Sequence, residues 1–197
     1  PDVVRVAVIP QIQNQQMAGR YDVLIQALQT ALERNVVLMP VGSYSAVIEG
    51  VLKGSIDLAE LGPASYARAK KRGADISAFA TLYRSNEQQP TYHSVLIARQ
   101  DSGIRSLEDL QGKALSLVDP LSTSGSLVPR AAIQNLTGMT LDDWFGRVSF
   151  AGSHDLAIAA VLSERVAGAF VSDTRIADEQ AEGGVAGNDL RVLWRSE

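Results

Sequence analysis

Three consecutive hydroxyl residues, Ser122, Thr123 and Ser124, lie between a predicted strand and a predicted helix. The start of a helix offers backbone N–H groups that the helix itself does not pair, together with the positive end of its dipole. The hydroxyl groups add short donors, and Gly125 allows a ligand to approach the backbone. This segment suits the binding of a tetrahedral oxyanion. The alternative is ordinary helix capping by Ser or Thr, which the local sequence taken alone favours, although three hydroxyls exceed what a cap needs.

Pro129 affects the same helix. If the helix begins at Ser124, Pro129 lies beyond its first turn, where it removes a hydrogen bond. The helix is therefore either kinked there or regular only from a later residue. Both arrangements leave the Ser-Thr-Ser backbone short of internal partners, which favours anion binding.

Four further side chains lie where a predicted strand or loop meets the next element: Tyr44, Tyr92, His154 and Asp173. His154 could donate to an anion and gain positive charge in doing so, or it could face solvent. Asp173 could cap a helix, or it could accept from a protonated ligand oxygen or an ammonium group, which would select a ligand that still carries a donor. Each tyrosine could donate its phenol O–H or simply pack.

Composition excludes several functional classes. The 197 residues carry a net charge of −4 and form no basic stripe, so we expect no nucleic-acid partner. The chain has no cysteine, and its two histidines have no obvious third metal ligand. Motifs of the common hydrolases, P-loop proteins and zinc proteases are absent. We therefore expect a protein that is not an enzyme and needs no cofactor or metal, with a phosphoester hydrolase kept as a further hypothesis.

Short β-rich runs alternate with helical patterns along the whole chain. This alternation predicts an α/β fold with mostly parallel sheets. The polar stretch Arg99–Gly103 divides two halves of similar length. We expect residues 1–98 to form a first lobe, 99–190 a second lobe and 191–197 a strand that returns toward the first lobe. The cleft between two such lobes is the expected ligand site.

The run from Asp119 to Pro129 reads D-P-L-S-T-S-G-S-L-V-P. It resembles the D-P-x-S-T-S-G-x-L-V-P signature of phosphonate-type periplasmic binding proteins, the solute receptors of ABC transporters for phosphonates, phosphite and phosphate. Further stretches resemble the family in the same order: Gly42–Asp57, Leu61–Tyr66, Tyr92–Ala98, Asp101–Lys113, Phe150–Asp155 and Phe170–Asp173.

The resemblance implies a two-lobed type II periplasmic-binding fold with a hinge and a closing cleft. It implies that Ser122, Thr123 and Ser124 hold the anion, that Tyr44 and Tyr92 reach it from the first lobe, and that His154 and Asp173 close on it from the second. The expected ligand is a small phosphorus oxyanion, and the expected partner is an ABC transporter permease. The resemblance further implies a periplasmic or extracytoplasmic location, and we expect a monomer.

The chain departs from the family pattern at two places. The stretch Gln11–Gln16 matches no pattern, and family members continue beyond Glu197. The start at Pro1, without a methionine, indicates a trimmed chain. A sensory input domain of the same fold in a signalling protein, or a fragment of a longer chain, is therefore an alternative. Phosphate, phosphite, methylphosphonate and aminoethylphosphonate differ in one substituent, and the sequence does not choose among them.

Overall fold

The computed structural model describes residues 3–10, 15–81 and 91–197. The chain divides into two compact units, residues 1–75 and residues 76–197. Each unit is described by itself. None of the helices in the described ranges is long and apolar enough to cross a membrane.

The first unit is a small parallel sheet with helices. Its elements are β1 (Val3–Ala7), α1 (Gln15–Leu32), β2 (Asn35–Met39), α2 (Tyr44–Leu52), β3 (Leu58–Ala59) and α3 (Pro63–Lys71). The strand order is β2-β1-β3, and β1 runs parallel to both neighbours. The β-branched residues of β1 suit a pleated, buried surface. Val4 and Val6 of this strand pack against Ile25 and Leu28 of α1.

The second unit contains a five-stranded sheet in the order β6-β5-β7-β4-β8. Its elements are β4 (Ser94–Arg99), β5 (Ala114–Leu117), α4 (Val128–Thr137), α5 (Leu141–Trp144), β6 (Arg147–Phe150), α6 (His154–Leu162), β7 (Gly168–Ser172), α7 (Asp173–Ala181) and β8 (Leu190–Arg195). Strand β5 is parallel to β6 and β7, whereas β4 is antiparallel to β7 and β8. The predicted α/β class is confirmed, although this sheet is mixed because β4 runs against the other four strands.

The boundary between the two units differs from the one predicted at residues 98 and 99. Strand β4 lies between β7 and β8, with Leu96, Ile97 and Ala98 completely buried, so it belongs to the second unit. The polar stretch Arg99–Gly103 ends β4 and turns the chain; it does not link the units.

The C-terminal residues also differ from the prediction. Strand β8 pairs with β4 in the five-stranded sheet, so residues 190–195 belong to the second unit. The alternation of β-rich runs also predicts a strand at Ser77–Tyr83. Residues 77–81 form no strand, and residues 82 and 83 lie outside the described ranges.

A π-helical turn, Thr123–Leu127, precedes α4. The N–H of Leu127 donates to the carbonyl of Ser122 over 3.1 Å, which spans five residues in place of the usual four. Pro129 then falls in the first turn of α4, where its missing N–H does no harm. The regular helix thus begins after the hydroxyl residues, as one of the two predicted arrangements requires.

The π-helical turn packs directly on β5 through Gly125. The carbonyl of Gly125 accepts from the N–H of Val118 over 3.0 Å. A Cβ atom added at Gly125 would lie 2.3 Å from Cγ2 of Val118 and 2.9 Å from Oγ of Ser122. Only glycine therefore allows this close approach.

We expect Gly125→Ala to destabilise the chain by about 1–3 kcal/mol, the usual cost of overpacking, as measured by urea denaturation. The companion variant Val118→Gly removes both Val118 atoms that the new Cβ would meet, Cγ2 at 2.3 Å and Cβ at 2.5 Å. In a double-mutant cycle, the loss at Gly125 should therefore shrink when Val118 is glycine. A loss of the same size in both backgrounds would show that packing on Val118 is not the reason for glycine here.

Candidate functional site

Most of the predicted site residues lie at one edge of the five-stranded sheet. The carboxyl ends of the parallel strands β5, β6 and β7 lie at this edge, and a helical segment starts after each of them. Strand β4 is antiparallel to β7, so it begins at the same edge. The sequence thus places six of the seven predicted residues at this edge: Tyr92 before β4, Ser122, Thr123 and Ser124 after β5, His154 after β6 and Asp173 after β7.

A serine caps each of these three helical segments. The side chain of Ser122 accepts from the N–H of Gly125 over 3.0 Å, and Ser153 and Ser172 accept in the same way over 3.2 Å and 3.3 Å. Capping was the alternative role for the hydroxyl residues and for Asp173. Among them only Ser122 fills it, because the caps of α6 and α7 are the serines that precede His154 and Asp173.

The candidate residues therefore share one local position. Thr123, His154 and Asp173 are each the first residue after a capping serine, and Tyr44 follows the capping Ser43 in the first unit. Residues at this position lie next to the backbone N–H groups that a helix leaves without an internal acceptor. The pattern of serine followed by a candidate is visible in the sequence.

The hydroxyl segment is buried and held by the neighbouring strand. Ser122 and Ser124 are 2% and 3% exposed. The hydroxyl of Ser94, at the start of β4, donates to the carbonyl of Ser124 over 2.7 Å. This bond turns the Ser124 carbonyl toward β4 and fixes the π-helical turn against the sheet. Ser94 was not predicted; its signal is a polar residue at the start of a strand that is apolar from residue 95 to residue 98.

Tyr92 contacts the same segment. Its hydroxyl and that of Thr123 share a hydrogen bond. Burial raises the pKa of Tyr92 above its ordinary value, and the hydrogen bond to Thr123 offsets only part of that effect. The phenol is therefore neutral at physiological pH and keeps a proton to donate. Tyr92 lies in the second unit, whereas the sequence placed it in the first lobe.

His154 is a neutral side chain in this structure. It is 6% exposed, and its Nδ1 accepts from the N–H of Ser172 over 3.1 Å. An accepting Nδ1 requires the proton to be on Nε2, so His154 offers one N–H donor. Burial lowers its pKa from 6.5 to about 4. The prediction that His154 gains a positive charge is therefore wrong. His154 can donate to an anion without carrying a charge at neutral pH.

Asp173 is engaged on both carboxylate oxygens. Its Oδ1 accepts from the N–H of His93 over 2.9 Å, and its own N–H donates to the carbonyl of His93 over 3.0 Å. Its Oδ2 lies 2.8 Å from Nη2 of Arg195. These contacts join the starts of β4 and α7 to the end of β8. Neither His93 nor Arg195 was predicted, because their relation to Asp173 depends on strand pairing across the sheet.

A buried ion pair joins α6 to α7 beneath the candidate residues. Nη2 of Arg175 lies 2.5 Å from Oδ1 of Asp155, and the two side chains are 11% and 4% exposed. Asp155 follows His154, and Arg175 lies one turn into α7. Together with the bond from Ser172 to His154, this pair fixes the start of α6 against the start of α7.

Tyr44 lies in the first unit, apart from the other six residues in the division of the chain. It is the first residue of α2 and is 2% exposed. The side chain of Ser43 caps this helix by accepting from the N–H of Ala46 over 3.1 Å. A role for Tyr44 toward the other residues is therefore a proposal. Within the described ranges, no three His, Asp or Glu side chains are grouped as metal ligands.

The neutral state of His154 predicts a pH dependence of stability. The folded chain keeps His154 neutral down to about pH 4, whereas the unfolded chain protonates it below about pH 6.5. The contribution of His154 to the free energy of unfolding is thus present above pH 6.5 and is lost as the pH falls toward 4. Its size is roughly 3 kcal/mol in the free energy of unfolding.

The variant His154→Asn tests this expectation, since an amide oxygen can accept from Ser172 but does not titrate in this range. The difference in unfolding free energy between wild type and His154→Asn should change by roughly 3 kcal/mol between pH 7 and pH 4. The control His93→Gln removes the other histidine and should keep the contribution of His154. A constant difference between wild type and His154→Asn would contradict a neutral, buried His154.

Comparisons with known proteins identify the family and the fold of the chain. Residues 6–197 match the family described as "ABC transporter, phosphonate, periplasmic substrate-binding protein". The chain is similar to the phosphate-import protein PhnD of Mycolicibacterium smegmatis, with 29% identity over all of this chain and 64% of the relative. Less than two thirds of that relative's length is therefore spanned.

Two solved structures share the fold. A binding protein of a phosphonate ABC transporter from Pseudomonas aeruginosa superposes with a TM-score of 0.89 and 25% identity, over 98% of this chain and 65% of that one. PhnD1 from Prochlorococcus marinus, solved with methylphosphonate, gives a TM-score of 0.82 and 23% identity, over 99% of this chain and 72% of that one. The expected type II periplasmic-binding fold is confirmed. The chain belongs to the family of periplasmic substrate-binding proteins of phosphonate ABC transporters, which are binding components and not enzymes.

Proposed function

We propose that this chain binds a small phosphorus oxyanion, either a phosphonate, phosphite or phosphate, and delivers it to the permease of an ABC transporter. The observation that carries the proposal is the meeting of three helix starts at one edge of the second sheet. Each start directs the positive end of a helix dipole toward the same edge, which favours a tetrahedral anion. Membership of the phosphonate-binding family indicates the chemical class of the ligand.

In this proposal the hydroxyl segment supplies most donors. Thr123 and Ser124 contribute hydroxyl and backbone N–H groups, and Ser122 contributes the proton of its capping hydroxyl. Tyr92 donates from beside Thr123, with which it already shares a hydrogen bond. His154 donates through Nε2–H, since Nδ1 is occupied by Ser172. Tyr44 donates from the first lobe, and Asp173 accepts from a ligand oxygen that keeps its proton.

The relatives favour transport over sensing. The mycobacterial protein is named for phosphate import, and the Pseudomonas protein is named as a component of a phosphonate transporter. No observation in the described residues favours a signalling role. We also propose that the chain acts as a monomer in the periplasm without a nucleic-acid partner. Light scattering that gave a dimer mass for the purified chain would contradict the monomer.

Calorimetry tests the ligand class. Inorganic phosphate, phosphite, methylphosphonate and 2-aminoethylphosphonate should be titrated into the folded chain, with sulfate as the matched tetrahedral control. We expect tight binding of at least one phosphorus oxyanion and much weaker binding of sulfate, which cannot donate a proton to Asp173 at neutral pH. If a chain with a cooperative thermal transition binds none of the four, the proposal is wrong.

Removing hydroxyl groups tests the site. We expect Thr123→Val and Ser124→Ala each to weaken binding by roughly 1.5–3 kcal/mol, because each removes a hydrogen bond to a charged ligand. The matched control is Thr137→Val, which makes the same change at the far end of α4, where the hydroxyl donates to the carbonyl of Ile133. Titration calorimetry should give wild-type affinity for the control. Unchanged affinity in the variant carrying both Thr123→Val and Ser124→Ala would place the ligand elsewhere.

A further inference from the structure

We propose that Arg195 selects the ligand class: it occupies the carboxylate of Asp173 and thereby excludes phosphonates that carry an amino group. Arg195 would act as a fixed substitute for the ammonium of such a ligand. The preferred ligands would then have a hydroxyl, a hydrogen or an uncharged alkyl group on phosphorus. This inference rests on the proposed function.

The first step is that each carboxylate oxygen of Asp173 already has one donor. Its Oδ1 accepts from the N–H of His93 over 2.9 Å, and its Oδ2 lies 2.8 Å from Nη2 of Arg195. An ammonium group needs a carboxylate oxygen whose charge is not already balanced by another cation. A ligand O–H makes a smaller demand, because a carboxylate oxygen keeps a second lone pair for a neutral donor.

The second step is that the backbone of Arg195 is held in place. Arg195 ends β8, opposite Val95 of β4. Beyond it, the N–H of Ser196 donates to the carbonyl of Ser94 over 2.9 Å, and the hydroxyl of Ser196 accepts from the N–H of Ser94 over 3.1 Å. Nδ1 of His93 donates to the carbonyl of Ser196 over 2.9 Å. These bonds keep the guanidinium within reach of Asp173.

The third step concerns charge. The side chain of Arg195 is 56% exposed, so its ion pair adds little to stability, and its main effect is on what else can approach Asp173. A ligand ammonium at the same carboxylate would meet the like charge of Arg195 at close range. Discrimination by such a repulsive element is a common way to reject one of two similar ligands. The oxyanion part of the ligand is not penalised by a neighbouring cation.

Two ligands of equal size isolate the effect of the amino group. In 2-aminoethylphosphonate an ammonium replaces the terminal methyl group of n-propylphosphonate. Calorimetry should measure the affinity ratio of these two ligands for wild type, Arg195→Gln and Arg195→Lys. The matched control is Arg99→Gln at the other end of β4, where Arg99 pairs with Asp101 and Glu164. Thermal unfolding of each variant establishes that it is folded.

We expect wild type to prefer n-propylphosphonate, and Arg195→Gln to shift the ratio toward 2-aminoethylphosphonate by roughly ten- to a hundredfold, the effect of one charged hydrogen bond. Arg195→Lys, which keeps the charge, and Arg99→Gln should retain the wild-type ratio. A ratio in Arg195→Gln equal to that of wild type would overturn the inference, as would its failure to bind either ligand. If wild type binds 2-aminoethylphosphonate as tightly as n-propylphosphonate, the inference is also wrong, whatever the variants show.

The two proposals fail in distinguishable ways. If wild type binds none of phosphate, phosphite and methylphosphonate, the proposed function itself is wrong. If wild type binds one of these three but does not discriminate against the amino group, only the role of Arg195 is wrong.

Discussion

The backbone N–H groups that open a helix without an internal acceptor are the constraint on which the second unit depends. Strands β5, β6 and β7 lie side by side, so the helical segments that follow them all begin at one edge of the sheet. A serine cap satisfies one donor at each start, and at α7 the N–H of Asp173 also donates to the carbonyl of His93. A tetrahedral anion has enough oxygens to serve several starts together. The same edge therefore suits both the folding of the unit and the binding of an anion.

Neutral groups dominate this edge. His154 is uncharged because it is buried and because its Nδ1 accepts from Ser172, and the charge of Asp173 is balanced by Arg195. Attraction for an anion must then come from dipoles and hydroxyl groups whose positions are fixed by packing. Preorganised dipoles need no rearrangement when the ligand arrives.

Local patterns predicted most of what lies within one element. The caps and apolar spacing of Tyr44–Leu52 and Asp173–Ala181 predict α2 and α7, because these signals act over a few residues. Pro129 left two arrangements open, a kink or a late start of the regular helix, and the structure has the late start. Pairing across the sheet could not be predicted in the same way. The positions of β4 and β8 in the second sheet depend on contacts between residues about a hundred positions apart, such as Leu96 with Trp194. For the same reason His93, Ser94 and Arg195 were missed as neighbours of the site.

The groups proposed to hold the anion and the group proposed to select its fourth substituent lie on different strand ends. The hydroxyl segment and His154 offer donors that any tetrahedral oxyanion can use, so they cannot by themselves distinguish one phosphorus compound from another. The acceptor Asp173 lies after a different strand, and its two oxygens are set by His93 and Arg195. Under the proposed role of Arg195, a change in the partners of this one carboxylate would alter which fourth substituent on phosphorus is accepted and would leave the anion donors untouched. Ligand choice can therefore diverge among proteins that keep the same hydroxyl signature, because the residues that govern it lie on a neighbouring strand end.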